Sequence, residues 1–317
     1  MKEKETVIAK LNKLALQVAS TKLKPEEAAQ AFLALDPAEI EKQIVPKILE
    51  IIDYTSESLS FQYIPLLNLS LMLARILSRS ERQSEAKELE LNIAGRLFTV
   101  GRNFYQSRLF NESAVLYTQA KELYAQNGAE VDATTCFFNF AKALRKIGDY
   151  PKAFSIYKEC KQIYIKHGLE VNAAMCDLDC ANGFFGLGEH EKAASLYDAA
   201  KTVFLRHNAK LEAAMCNMNA ANNLCKLGEY NQVLSIYDET KDIFLKYGMD
   251  VNAAKCQLNI ANVLCELGEQ EKAVFIYQQA KEIFLANNVD VEAGMCDSNT
   301  RIALRELRKK EKDITVH

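Results

Sequence analysis

Residues 171–190 read VNAAMCDLDCANGFFGLGEH, and related copies occupy residues 131–150 (VDATTCFFNFAKALRKIGDY), 211–230 (LEAAMCNMNAANNLCKLGEY) and 251–270 (VNAAKCQLNIANVLCELGEQ). The copies begin 40 residues apart. Such regular self-similarity indicates supersecondary units that cannot bury their own apolar faces, so that neighbouring units must stack. We therefore predict a repeat protein whose function lies on a surface and not in a catalytic pocket.

Each 40-residue repeat contains the pattern of two amphipathic helices. In the copy at 171–190, apolar residues follow helical spacing up to Leu187, and Gly188-Glu189 then supplies a short turn. A second apolar stripe, which includes Ala193, Tyr197 and Phe204, follows the turn. The second helices are predicted to end where Gly or Asn can adopt the left-handed conformation: His167-Gly168, His207-Asn208, Tyr247-Gly248 and Asn287-Asn288. The predicted unit is an αα-hairpin.

The repeats define the predicted organisation of the chain. Four clear repeats span 131–290, and a degenerate repeat at 91–130 has Arg108 in place of the turn glycine. The segment 291–317 is predicted to be a C-terminal capping helix, because solenoid ends need a polar cap. Residues 1–90 show helical patterns at about 4–19, 24–34, 37–53 and 60–79, which predict an all-helical cap or accessory bundle.

Composition excludes several classes of function. The 317 residues contain 39 Lys plus Arg and 42 Asp plus Glu, a net charge of -3, without a basic block that could follow a phosphate backbone. Nucleic acid is therefore not an expected partner. No apolar stretch approaches the roughly 20 residues that span a bilayer, and the first residues, MKEKETVIAKLNKL, do not form a signal peptide. We predict a soluble, cytoplasmic protein without membrane insertion.

The cysteines are predicted to be core residues. Cys136, Cys176, Cys216, Cys256 and Cys296 occupy one column of the repeats. Packed helices lie ~10 Å apart, beyond the ~7 Å Cα separation that a disulfide allows, so reduced, buried thiols are expected. A metal site near Cys176, Cys180, His190 and His207 is the less favoured alternative. The chain has no phosphate loop, dinucleotide fingerprint or nucleophile elbow, so we predict no enzyme, no cofactor and no metal.

The repeats combine an apolar helix, the turn motif L-G-E/D-Y, the dipeptide K-A and a Tyr four residues after the Ala. This combination resembles the tetratricopeptide repeat (TPR) family. The match is strong over 131–290 and weak over 91–130. The 40-residue period resembles the subgroup found in kinesin light chains and cell-polarity adaptors. The resemblance implies an all-α fold, a right-handed α-α superhelix that forms a TPR-like solenoid of helical hairpins, with a concave groove that binds a partner peptide. The family has a bulky apolar residue after the cysteine column, whereas only Phe137 follows this rule here; Asp177, Asn217, Gln257 and Asp297 do not.

The first helices carry a candidate groove lining opposite the cysteine stripe. An Asn amide can both donate to and accept from a peptide backbone, and Met adapts to varied apolar side chains. A second amide column lies at the edge of this face, and either column could instead bridge adjacent hairpins. Basic residues at the N-terminal end could contact an acidic part of a ligand, with a solvated charged face as the alternative. The candidate residues are Met175, Leu178, Asn182, Met215, Met218, Asn222, Leu258 and Asn262 in the groove, Asn219 and Asn259 in the second column, and Arg102, Lys142 and Arg145 at the basic end.

Three functions remain open at this point. The first is an adaptor that holds a partner's peptide or helix in the groove. The second is a peptide-responsive regulator in which the repeats sense a signal peptide and residues 1–90 engage a target protein. The third is a structural subunit of a larger assembly. A homodimer through the array ends is a further alternative, because an open array end can pair with its own copy.

Overall fold

The computed structural model describes residues 83–315, and within that range the regular structure is entirely helical. The helical patterns at about 4–79 lie outside the described residues. None of the described helices is long and apolar enough to cross a bilayer. The eleven helices are α1 Gln83–Gln106, α2 Phe110–Gln126, α3 Glu130–Ile147, α4 Tyr150–Lys166, α5 Glu170–Gly186, α6 His190–Arg206, α7 Lys210–Lys226, α8 Tyr230–Lys246, α9 Asp250–Glu266, α10 Gln270–Ala286 and α11 Asp290–Thr315.

Helix length explains the period of the sequence. Each helix from α4 to α10 has 17 residues, and three residues separate each of these helices from the next one. One helix and one turn therefore take 20 residues, and two of each give the 40-residue repeat. A helix of this length extends for about 25 Å. The hairpins are accordingly longer than those of the usual 34-residue repeat.

The turns follow one pattern, in which a left-handed residue ends each helix. After α5, Gly188 has a φ of 77°, the Glu189 N–H donates to the Phe184 carbonyl at 2.9 Å, and the Gly188 N–H donates to the Phe185 carbonyl at 3.0 Å. This is the Schellman arrangement. The equivalent Arg108, Asn208 and Asn288 also have positive φ values of 63°, 56° and 57°. The predicted turns are confirmed, including the one in which Arg108 replaces glycine.

The core consists of small and aromatic side chains in columns. All five cysteines of the predicted column are buried, and all nine cysteines are free thiols. Ala193 and Ala273 are fully buried on the second helices, where a small side chain allows close helix packing. The tyrosines four residues later, Tyr197 and Tyr277, are also buried. The prediction that the cysteine column is buried in the core is confirmed.

Two of the residues that follow the cysteine column, Phe137 and Asp297, contact lysines. The Lys281 Nζ lies 2.7 Å from the Asp297 Oδ1, and the Lys121 Nζ lies 3.8 Å from the centre of the Phe137 ring. In both places, the side chain after the cysteine meets a lysine of the preceding second helix. Either a carboxylate or an aromatic ring suits that lysine, so the position of Asp297 does not need an apolar residue.

The chain divides into two compact units, residues 1–163 and 164–317. In the second unit, the first helices of the hairpins, α5, α7, α9 and α11, contact one another in that order. The last of them, α11, has exposed Arg301 where α9 has the fully buried Ala261. A charged residue at this core position suits a helix that faces solvent on that side. The predicted boundaries at residues 90, 130 and 290 stay predictions.

Candidate peptide-binding groove

Three asparagines define the candidate site in the second unit. Asn182, Asn222 and Asn262 lie 40 residues apart on α5, α7 and α9, and each is partly buried. Each Oδ1 accepts a hydrogen bond from the buried tyrosine of its own hairpin. The donor is Tyr197 for Asn182 (2.9 Å), Tyr237 for Asn222 and Tyr277 for Asn262 (2.7 Å). We call these three residues the amide column.

The second column of asparagines joins one repeat to the next. The Nδ2 of Asn219 donates to the Asn182 Oδ1 at 3.0 Å, that of Asn259 to the Asn222 Oδ1 at 2.8 Å, and that of Asn299 to the Asn262 Oδ1 at 2.9 Å. Every Oδ1 in the amide column thus accepts two hydrogen bonds. These hydrogen bonds display the bridging role for Asn219 and Asn259, and the Oδ1 atoms of the amide column take part in the same bridges.

These bonds orient the amide nitrogens of the amide column. Because a tyrosine hydroxyl and a second amide nitrogen both donate to the same atom, that atom must be the carbonyl oxygen. The Nδ2 atoms of Asn222 and Asn262 make no hydrogen bond within the described residues. Each nitrogen therefore offers two N–H donors whose direction is already fixed.

A cavity of about 330 Å³ lies beside these donors. Asn222 and Asn262 line it together with apolar and aromatic side chains, among them Phe185, Tyr230 and Val263. Lys226 and Glu266, both exposed, stand at its edge. This recess is large enough for one bulky side chain and combines apolar walls with a few polar groups, the usual composition of a binding pocket.

Two pairs of a thiol and a phenol, on the hairpins of Asn222 and Asn262, are neutral near pH 7. The Cys225 Sγ lies 3.6 Å from the Tyr237 hydroxyl, and the Cys265 Sγ lies 3.7 Å from the Tyr277 hydroxyl. Burial raises the pKa of Cys225 and Cys265, and burial also raises the pKa of Tyr237 and Tyr277 far above its ordinary value. A protonated thiol is a poor nucleophile, so these groups suit hydrogen bonding and packing.

Two predicted groove residues require a correction. Leu178 is 2% exposed and Leu258 is 4% exposed, and both belong to the buried apolar clusters. They do not line an open groove. Helical periodicity places a residue on one side of a helix, but a leucine at the border of two faces gains free energy by turning into the core. Met175, Met215 and Met218 are partly buried and pack against the same clusters.

The predicted basic residues lie in the first unit. Arg102 is exposed, whereas Lys142 and Arg145 are partly buried. The Lys142 Nζ lies 5.7 Å from the ring centre of Tyr105 and 5.6 Å from that of Phe138, within the range of a cation–π interaction. The aromatic neighbours give this lysine a packing role. Its contact with an acidic ligand stays a prediction.

Sequence reasoning missed two features of the site. It included Tyr197 in the apolar stripe of a second helix but did not identify the repeated tyrosines as donors to the amide column, although Tyr197, Tyr237 and Tyr277 each follow an asparagine by 15 residues. That constant offset was the available signal. It also missed the bond between the His190 Nδ1 and the Asn223 Oδ1 at 2.8 Å. No repeated pattern announces this pair, because each residue occurs once in its column.

The cysteine and histidine positions that suggested a metal site do not form one in the described part of the chain. No group of three His, Cys, Asp or Glu side chains there is arranged to hold a metal ion. Cys176 is buried in the apolar core, in agreement with the favoured alternative.

Helical hairpins of regular length, stacked in register through a column of amides, define a TPR-like helical solenoid. A family model described as tetratricopeptide repeat matches residues 211–286. The model of the soluble NSF attachment proteins (SNAP) matches residues 69–245, more than half of the chain, and the chain belongs to this family. No curated protein matches the sequence significantly.

Solved structures show the same fold at low sequence identity. The Rap conjugation gene regulator of plasmid pLS20, in complex with the Phr* peptide, has a TM-score of 0.62 and 13% identity over 84% of each chain. Aspartyl phosphate phosphatase F from Bacillus subtilis has a TM-score of 0.59 and 13% identity over 98% of this chain and 85% of its own. BtubC from P. vanneervenii has a TM-score of 0.54 and 17% identity over 78% and 93%. These similarities concern the fold alone.

Proposed function

We propose that this protein is a non-enzymatic interaction scaffold, an adaptor that binds a peptide or helix of a partner protein along the amide column. One observation carries the proposal: the Asn222 and Asn262 nitrogens have no acceptor within the described residues, while the tyrosines and the second column fix their direction. Donors that are oriented before binding lose little conformational entropy when a ligand arrives.

The spacing of the amide column suits an extended chain. Packed helices lie about 10 Å apart, and an extended peptide in the polyproline II conformation advances about 3.1 Å per residue with three residues per turn, so that every third carbonyl points the same way. Successive amides can therefore meet the carbonyl oxygens of every third residue. Because every residue has a backbone carbonyl, this part of the recognition tolerates different sequences, and the cavity beside Phe185 and Val263 adds a preference for one bulky side chain.

The chemistry of the cavity supports binding over catalysis. The Cys225 thiol and the Tyr237 phenol are protonated near pH 7 because burial raises the pKa of both, and the sequence carries no phosphate loop, dinucleotide fingerprint or nucleophile elbow. Phosphatase F shares the fold, so the proposal rests on the side chains of this chain and not on the fold. A cytoplasmic location and a protein partner, rather than nucleic acid or a membrane, complete the proposal.

The comparisons support a protein partner. The family name describes proteins that attach to another protein, and the pLS20 regulator was solved with a bound peptide. That complex also favours the second candidate function, in which the repeats sense a signal peptide and residues 1–90 engage a target protein. The two functions differ in one respect: a regulator releases or recruits its target when the peptide binds, whereas an adaptor keeps the peptide's own protein attached.

Affinity capture from native cytosol tests the proposal with three variants. Asn222→Ala with Asn262→Ala removes both amides, and Asn222→Asp with Asn262→Asp keeps the accepting oxygens but replaces the N–H donors. The matched control, Asn172→Ala with Asn217→Ala, removes two asparagines outside the amide column. We expect both variants at positions 222 and 262 to lose partners that the wild type and the control retain, with equal helicity by circular dichroism. Unchanged capture by the two groove variants would refute the proposal.

A further inference from the structure

We infer that Met295 and Ile302 on α11 form an apolar subsite at the end of the groove, which takes an apolar side chain of the bound peptide; this inference rests on the proposed function. Ile302 follows Asn262 by 40 residues and so continues the amide column. Its side chain is 62% exposed, and that of Met295 is 47% exposed. The column thus changes from amides to an exposed aliphatic residue at its last position.

A hydrogen bond fixes the side of α11 that faces the amide column. The Asn299 Nδ2 donates to the Asn262 Oδ1 at 2.9 Å, so the face that carries Asn299 adjoins Asn262. Met295 precedes Asn299 by four residues and Ile302 follows it by three, and residues at these spacings share one helix face. The two apolar side chains therefore flank Asn299 next to the free amide nitrogen of Asn262.

A solvated cap does not explain these two residues. Most exposed positions on α11 are polar, as at Asp297, Arg301 and Arg305, which is what an end of the array requires. Four large apolar side chains are nevertheless exposed on this helix, Val291, Met295, Ile302 and Leu304. Of these four, Met295 and Ile302 lie at helical spacing from Asn299, next to the amide column. Exposed apolar side chains grouped in this way mark an interaction surface.

The occupant is a peptide segment and not a second copy of the chain. Asn262 can hold the backbone of a peptide through its N–H donors, and a side chain of that peptide within a few residues then reaches Ile302. Pairing of α11 with the α11 of a second copy would instead bring two basic recesses into contact. Each recess has a volume of about 370 Å³ and is lined by Arg301, Arg305, Arg308 and Lys309 together with Leu304. Like charges in contact oppose such a dimer.

A displayed library of random dodecapeptides tests the subsite with the full chain as bait. Ile302→Asn extends the amide column by one repeat and removes the apolar side chain. Phe275→Asn is the matched control, because Phe275 is 61% exposed but lies on the second helix α10. Circular dichroism and thermal unfolding establish that both variants fold, and the strongest wild-type binder is then synthesised and titrated against each protein.

We expect wild-type binders to share one apolar position, and Ile302→Asn to weaken the synthetic peptide about tenfold or more, as the loss of a buried aliphatic side chain implies. Phe275→Asn should leave its affinity unchanged.

Equal binding to wild type and Ile302→Asn would overturn the subsite while the groove itself stands, provided that Asn222→Asp with Asn262→Asp abolishes binding. If no peptide is enriched, the proposed function fails and the subsite fails with it. Concentration-dependent dimerisation that Ile302→Asn removes would assign the face to a second copy and would also overturn the inference.

Discussion

The hydroxyl of Tyr237 connects the core of a hairpin to the groove. The side chain is buried, and the hydroxyl donates to the Asn222 Oδ1, which also accepts from Asn259. A groove amide is therefore held by the core and by the next repeat at once. The stiffness of this arrangement, more than its chemistry, is what distinguishes Asn222 from an ordinary surface asparagine.

Replacing Tyr237 by Phe should weaken the protein and the groove together. The variant keeps the buried ring but removes the hydroxyl, and we expect the free energy of unfolding to fall by about 1 kcal/mol, the net value of one intramolecular hydrogen bond. Binding should weaken as well, because Asn222 loses one of its two orienting bonds. Urea unfolding measures the first effect and peptide titration the second. Tyr247→Phe is the control, since Tyr247 is 48% exposed, and a loss of the same size there would contradict the role of the buried hydroxyl.

The buried cysteine column makes stability depend on alkaline pH. Burial raises the pKa of Cys216 and Cys256 to about 12, whereas a thiol in the unfolded chain has a pKa of about 8.5. A raised folded-state pKa gives stability that is complete below about pH 8.5 and is lost progressively up to about pH 12. We expect the free energy of unfolding to decrease over this window by up to about 1.4 kcal/mol per pH unit for each thiol.

Cys216→Ala with Cys256→Ala tests that dependence. The double variant should be less stable at pH 7, because it leaves small cavities, but its stability should decline less steeply above about pH 8.5. Chemical unfolding at a series of pH values measures the two slopes. Identical slopes would assign the alkaline loss to other groups, such as the buried tyrosines.

At the residue scale, the sequence predicted which residues occupy equivalent positions in the repeats better than it predicted which side chains contact each other. The cysteine column was correctly assigned to the core because an unbroken apolar column admits few other positions. The groove assignment failed at Leu178 and Leu258, where periodicity gives the direction of a side chain but not its depth. The hydrogen bond from Asn259 to Asn222 depends on the position of one hairpin relative to the next. The sequence of a single hairpin does not specify that relative position.

At the element scale, the turns are the most local feature of the molecule and the best predicted. Each requires one residue with positive φ, and the sequence supplies Gly or Asn at nearly every such position. Arg108 adopts a φ of 63° without being glycine or asparagine. The place of a turn along the chain therefore depends on the length of the repeat and not on the residue type at the turn. A left-handed conformation costs such a residue about 1–2 kcal/mol.

Two glycine-to-alanine substitutions, one in a turn and one inside a helix, measure the free-energy cost of a positive φ. Gly228 has a φ of +83°, and a Cβ added there meets no atom within 4 Å, so any cost of Gly228→Ala comes from the backbone. We expect a loss of about 1 kcal/mol or more in the free energy of unfolding. Gly294 lies inside α11, where a Cβ also meets nothing, and Gly294→Ala should stabilise by up to about 1 kcal/mol because alanine favours the helix. Urea unfolding of both variants should show opposite signs, and equal signs would refute the backbone explanation.

At the scale of the whole molecule, regular stacking separates what sequence can predict from what it cannot. The 40-residue period and the TPR resemblance predicted the solenoid of hairpins, because each repeat makes nearly the same contacts as the one before it. Membership of the SNAP family was not predicted. The contacts that carry the fold recur from repeat to repeat, whereas a residue that we propose for partner recognition, such as Ile302 in place of an asparagine, can change along the array.

Deleting one full repeat should leave a folded solenoid, whereas deleting half a repeat should not. Removal of residues 211–250 joins Lys210 to Val251, keeps the alternation of first and second helices, and places Asn259 where Asn219 donated to Asn182. We expect a helical protein that unfolds cooperatively at a lower temperature, because one interface between repeats is lost. Removal of residues 211–230 is the control. It brings α8, a second helix, to the position of a first helix. The buried Tyr237 of α8 would then meet the surface against which a cysteine of the column packs in the intact chain. Circular dichroism during thermal unfolding distinguishes the two, and equal stability of both deletions would show that the hairpin is not the unit of folding.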